Sequence, residues 1–208
     1  MKFKFYALIL SGICIVFFLM QLVVEPFTEF FLLNSESFAE PWRFVTSLFL
    51  HGNAAHLLYN LFALAFFGSI LEKYIGSNKL LFLFFFSGVL SNLISINFYS
   101  SSLGASGAIF GIIGALIIIR PGQPVFAFGL PMPIFIAGIL WGAGDIIGAA
   151  AFLAGNAINN TGNIAHLSGM FFGILFGFLL KDWKSKKYSK KLDLDEDYIL
   201  RWEDRHMN

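Results

Sequence analysis

The sequence predicts an all-α fold: a polytopic bundle of six transmembrane helices. Three observations carry that expectation. The 208 residues are 57% hydrophobic and only 13% charged, with 27 phenylalanines and a mean hydropathy of +0.74. Several separate apolar runs approach the ~20 residues that a helix needs to cross a bilayer. The basic residues also fall almost entirely at one side of the spans those runs define. A net charge of +1 says nothing about partners and gives no reason to expect a nucleic acid.

The spans are expected at about 5–24, 54–72, 79–97, 106–120, 131–152 and 163–180. The first follows Lys2 and Lys4 and has no small-residue cleavage site after it, so it reads as a span and not as a removable leader. Cys14 lies within it and is the single cysteine, which excludes an internal disulfide framework and a CxxC metal site. With Lys2 and Lys4 cytoplasmic, Lys73, Lys79, Arg120, Lys181 and the whole tail are cytoplasmic too. Of the 14 Lys+Arg residues only Arg43 is outside. The expected organisation is one domain, 1–180, with a first outer loop at 25–53, followed by a charged cytoplasmic tail, 181–208.

The outer segment 25–50 carries Glu25, Glu29, Glu36 and Glu40 but is dense in aromatic and aliphatic residues. It is expected to lie in the membrane interface. Segment 98–105 leads into Ser106 as non-helical backbone and is expected to line a wet cavity, since its polar groups need partners below the membrane surface. Pro121, Gly122 and Pro124 mark a cytoplasmic turn, and Pro131 and Pro133 are expected to open span five. The loop 153–162 is small and polar and could move as a gate. Within it Asn159-Asn160-Thr161 fits a glycosylation acceptor, a pattern frequent by chance. The tail is rich first in lysine and then in acidic residues, as a solvated stop-transfer tail or a headgroup anchor would be.

Three stretches could carry chemistry. Gly104-Ala105-Ser106-Gly107 opens a short apolar run that ends before Arg120. A helix of that length is roughly 20 Å long against a hydrocarbon core of ~30 Å, so Ser106 sits below the outer surface. His56 and Asn60 stand at i, i+4 near the start of span two, behind Asn53 as a candidate N-cap. They could link helices or donate to a developing oxyanion. His166 opens span six, followed by Gly169, Gly173 and Gly177 on a neighbouring face. Such a groove permits close approach of the span carrying Gly107, Gly111 and Gly114, which would bring His166 towards Ser106. A serine beside a histidine is an activated nucleophile, and an intramembrane histidine is a functional candidate.

Other polar residues receive plainer expectations. Asp145, inside span five, has nothing in the sequence linking it to His166 and reads as an interior polar contact. Glu72 reads as a helix-end salt bridge with Lys73 or a loop anchor. His51 could support the site from its rim, and His206 falls on the wrong side. A zinc site of His51, His56 and His166 lacks an acidic ligand and competes poorly with the His56/Asn60 pairing. No metal and no cofactor are expected. A solute transporter using these polar groups would need access from both faces, and the cytoplasmic halves of spans two, four and six are almost wholly apolar.

Taken together, Trp42-Arg43, His56-Leu-Leu-Tyr-Asn60, Gly104-Ala-Ser106-Gly107 and Ala165-His166-Leu-Ser-Gly169 with Gly173 resemble the rhomboid intramembrane serine proteases, over roughly residues 41–180. The resemblance implies Ser106 as nucleophile and His166 as general base and acid. It implies an oxyanion site from the Ser106 N–H with His56 and Asn60, and a structural role for Trp42 and Arg43. Gly104 and Gly169 would support the site. Phe110 stands where many members carry a ring against the catalytic histidine, here without the frequent tyrosine hydroxyl. Leu103 stands where many have glycine, a departure that bears on substrate binding. The implied partners are the lipid bilayer and single-span membrane protein substrates. The implied location is a prokaryotic cell (inner) membrane, with both termini cytoplasmic and the site opening outwards. A non-catalytic membrane chaperone or binding protein of the same fold is the alternative.

Overall fold

In this computed structural model the described residues are 4–156, 162–188 and 204–205. Helix α1 (Tyr6–Val23) crosses first. Its N-terminal N–H groups, which no helix can satisfy internally, are capped by a carboxylate far along the chain. Glu72 accepts from the backbone N–H of Tyr6 at 3.0 Å and of Ala7 at 3.1 Å, and from Ser77 Oγ at 2.6 Å. Where a helix-end salt bridge or a loop anchor was expected, Glu72 caps another helix. A negative group at a helix N-terminus also meets the positive end of its dipole. This cap fastens span one to the bundle.

The first outer loop folds into short pieces: α2 (Phe27–Phe31), strand β1 (Leu33–Asn34), a 3-10 turn at Ser35–Phe38 and α3 (Arg43–Thr46). Buried Arg43 is the pin. Its guanidinium donates to the carbonyls of Glu29 and Leu32 and pairs with Glu40 and Glu36. Trp42 lies at the surface, stacked on Phe30 with ring centres 6.2 Å apart.

The second span comprises α4 (Ala54–Ala63), a π-helical turn at Leu64–Gly68 and α5 (Ser69–Ile75), running together from Ala54 to Ile75. The π turn was not legible in the sequence. There Gly68 lets α1 come close, since a Cβ would fall 2.9 Å from that of Ala7. Helix α6 (Ser77–Ser95) follows, then β2 (Ser101–Ser102), which pairs antiparallel with β1. Helix α7 (Ser106–Ile119) matches the expected fourth span to within a residue. The five longer helices of the bundle are long and apolar enough to cross a membrane, and α7 is the shorter apolar one.

The chain between α7 and α8 departs from expectation. Residues 124–133 form a hairpin of β3 (Pro124–Ala127) and β4 (Leu130–Pro133), with both turn residues, Phe128 and Gly129, at positive φ. Pro131 and Pro133 therefore sit in an edge strand and not in a helix. The second proline also disfavours helical backbone at Met132. Helix α8 (Ile134–Leu153) starts only after them. Helix α9 (Asn163–Tyr188) runs past the expected end near 180. The Asn159-Asn160-Thr161 acceptor, much of the 153–162 loop, His206 and most of the tail lie outside the described residues.

Helices α7 and α9 pack closest. A Cβ on Gly169 would strike the Gly107 carbonyl, and one on Gly173 the Gly111 carbonyl. The two rows of glycines do not simply face each other. Gly107 and Gly111 turn their own open sides to Ser91 and Ser87 of α6. Of those serines, spaced one helical turn apart, Ser91 Oγ donates across to the Ala165 carbonyl of α9 at 2.6 Å, while Ser87 Oγ donates within α6 to the Leu83 carbonyl at 2.7 Å and lies 3.4 Å from the Ala108 carbonyl of α7. Small residues and short polar side chains are how membrane helices achieve tight packing, because apolar burial gives no preference for protein over lipid.

Candidate active site

Ser106 is the first helical residue of α7 and half-buried. It arrives there on a loop held from outside. Strand β2 is paired with β1, and the Gly104 N–H donates to the Ser47 carbonyl at 2.9 Å. The first outer loop, itself pinned by Arg43, thereby fixes the approach to Ser106. The N–H groups of the first turn of α7 have no partner within the helix, and the helix dipole is positive there. Both would stabilise a negative charge placed beside Ser106.

His166, one turn into α9, brings Nε2 to 2.8 Å from Ser106 Oγ. Its ring lies flat on Phe110, with centroids 4.3 Å apart and planes 6° apart. Phe110 is one turn beyond Ser106 on the same helix, so α7 supplies both the hydroxyl and the surface that orients the imidazole. The close α7–α9 packing sets this distance.

The second ring nitrogen has a partner that sequence reasoning missed. Asp145 Oδ1, on α8, lies 3.1 Å from His166 Nδ1. Asp145 was expected to make an interior polar contact, and nothing in the sequence linked it to His166; the contact it makes is with His166. Its contact depends on how α8 crosses α9, and the intervening loop leaves no register to read. The available signal was a lone carboxylate within an apolar span, which is costly unless it serves something. A proton on Nδ1, donated to Asp145, would leave Nε2 to accept the Ser106 hydroxyl proton.

His56 and Asn60 approach from α4. The His56 ring sits against Gly104: a Cβ there would lie 2.9 Å from Nε2, and Gly104 has φ +124. Glycine is required on both counts. His56 Nδ1 accepts from the Gly52 N–H at 3.5 Å, the long limit for such a bond. With Nδ1 accepting, the proton is on Nε2, the nitrogen on the Gly104 side. Asn60 Nδ2 donates one N–H to the His56 carbonyl at 2.8 Å, which leaves its second N–H. Asn53 caps α4, accepting from the His56 N–H at 2.8 Å, as expected.

His51 is buried behind His56, with ring centres 5.1 Å apart. Both its backbone groups pair with the Gln21 amide of α1. Burial, and secondarily the neighbouring His56, push its imidazole down to about 4, against the opposing pull of the Phe49 carbonyl. It is neutral at neutral pH and supports the rim. Among the described residues no group of three or more His, Cys, Asp or Glu side chains is arranged to hold a metal ion.

The arrangement can perform acyl transfer. It holds a hydroxyl with a base at hydrogen-bond distance, a carboxylate on the far nitrogen of that base, and the N–H groups at the start of α7. Comparison with known proteins agrees in kind. Residues 39–183 match the family described as the Rhomboid domain. The chain is 30% identical over 149 residues to the Rhomboid protease GlpG of Yersinia pseudotuberculosis serotype I, covering 70% of this chain and 50% of that protein. It is 29% identical over 188 residues to the Rhomboid protease GlpG of Haemophilus influenzae, covering 88% and 93%. The chain thus spans about half the length of the Yersinia relatives.

Proposed function

Because this chain belongs to the rhomboid family, we propose that it is a serine endopeptidase that cleaves transmembrane segments of membrane proteins near the outer face. It is a multi-pass integral membrane protein. The observation that carries the proposal is the 2.8 Å separation of Ser106 Oγ and His166 Nε2.

Ser106 Oγ attacks the scissile carbonyl carbon while its proton passes to His166 Nε2. The oxyanion forms at the start of α7, where the Ser106 N–H, His56 Nε2–H and the second Asn60 amide N–H donate to it. His166 then gives its proton to the departing amide nitrogen, which breaks the peptide bond and leaves an ester on Ser106. Water attacks that ester with His166 again as base, and the hydroxyl is restored. A helical substrate shields its peptide bonds, so the segment cut must unwind locally, and single-span proteins with helix-breaking or small residues near the cut are the expected substrates. The distribution of basic residues supports cytoplasmic termini and an outward-facing site; the family resemblance is the ground for placing it in a prokaryotic inner membrane.

Labelling with a fluorophosphonate, followed by peptide mapping, tests this reading. An adduct at Ser106 that disappears in His166→Ala is expected. A folded protein with no adduct at Ser106 would instead favour a non-catalytic membrane chaperone of the same fold.

A further inference from the structure

We propose that Asp145 is a positioning residue that turns the Ser106–His166 pair into a three-membered relay. This inference rests on the reading of Ser106 as nucleophile and His166 as base. Asp145 stands on α8, a different helix from either, and its Oδ1 is 3.1 Å from His166 Nδ1. Side-chain exposure is 12% for His166 and 9% for Asp145, so the contact is largely shielded from water.

The second carboxylate oxygen makes the case sharper. Asp145 Oδ2 is buried and has no hydrogen-bond partner among the described residues. Removing an ionised carboxylate from water is costly unless a positive charge compensates it. No lysine or arginine pairs with Asp145 among the described residues. The group in contact that can become positive is His166, and it does so only when it has taken the Ser106 proton. Asp145 therefore interacts more strongly with the state that follows proton transfer than with the resting one, which is the condition for lowering a barrier. It also fixes the tautomer with the proton on Nδ1, the one that leaves Nε2 basic. The titratable groups facing His166 are Asp145 from α8 and His56 from α4; α7 presents the Ser106 hydroxyl and the Phe110 ring. His56 is neutral or positive, so the negative charge acting on His166 comes from Asp145.

The packing around Asp145 suits this role. Gly148, one turn further along α8, makes room for Asn163 at the start of α9, since a Cβ there would collide with the Asn163 amide. The two helices are thereby registered at the level of the relay.

The test combines kinetics with spectroscopy on the full-length protein in detergent micelles. Asp145→Asn keeps the size and polarity of the side chain but removes its charge. Its kcat for a model membrane substrate should fall by at least ~10², with KM little changed. Asp145→Glu should recover part of the rate. In the wild-type protein, 1H–15N spectra of the histidines should show His166 as the Nδ1–H tautomer, its signal assigned by loss in His166→Asn.

Asp145→Asn with wild-type kcat would overturn the proposal while leaving the protease reading intact. So would a wild-type His166 protonated on Nε2, a result that requires no variant to fold. Absence of both turnover and Ser106 labelling in the wild type would overturn the underlying reading and this inference with it.

Discussion

Gly169→Ala is the most demanding perturbation of the packing on which the site depends. The added methyl would strike the Gly107 carbonyl oxygen and lie 2.8 Å from its carbon and 3.2 Å from its Cα. An ordinary carbon–carbon contact is about 3.5–4.0 Å. The obstructing atoms are backbone of the neighbouring helix and cannot rotate aside, so α9 must retreat from α7 by roughly 1 Å. His166 is one turn from Gly169 and Ser106 is next to Gly107. The Ser106–His166 separation of 2.8 Å would therefore open past the hydrogen-bond limit. Overpacking of this kind costs about 1–3 kcal/mol of stability, and a misplacement of about 1 Å costs ~10² in rate. Thermal unfolding in micelles gives the first quantity and cleavage of a model membrane substrate the second. Gly12→Ala, on α1 where nothing lies within 4 Å of the added carbon, is the control. It should keep its activity and gain up to ~1 kcal/mol from helix propensity. A Gly169→Ala protein with wild-type melting and wild-type turnover would refute the claim that the α7–α9 approach sets the site.

Other residues yield further expectations. His56→Ala and Asn60→Ala should each cost about 2.7–4 kcal/mol of transition-state stabilisation in kcat, and unchanged rates in both would leave them as packing residues. Phe110→Ala should lower kcat more than it raises KM, through loss of the ring stack worth about 0.5–1.5 kcal/mol; the split is read from initial rates. His51 ties stability to pH. Its neutral form is favoured in the fold, so its stabilising contribution is complete above the ordinary imidazole value near 6.5. That contribution is lost as pH falls towards the folded value of about 4, a change of up to ~3 kcal/mol. His51→Gln should flatten the acid arm of the stability curve measured in micelles, and parallel curves for variant and wild type would contradict the assignment.

What could be read from the sequence follows the physics of each feature. Long apolar runs locate spans because lipid demands them, so α1, α4–α5, α6 and α7 fall near their expected positions. Ser106 and His166 were legible because glycines spaced by turns announce close helix approach, and a polar residue amid such a face has few bland explanations. The partner of Glu72 was not legible, since its ligands are backbone N–H groups some 65 residues upstream. Nor was the two-residue pairing of β1 with β2, too short to leave a pattern. Pro131 and Pro133 suited a helix start and an edge strand equally, and pairing with β3 decided between them. Asp145 required knowing how α8 crosses α9, which no periodicity within either helix encodes.

The central claim is that Ser106 and His166 act as one chemical unit within the membrane. Turnover of a single-span substrate, co-reconstituted in liposomes with wild type, Ser106→Ala, His166→Ala and the double variant, tests it most directly. Each single substitution should lower the rate by at least ~10³, and the double variant should be little worse than either. Cleavage by Ser106→Ala at the wild-type rate would contradict the account.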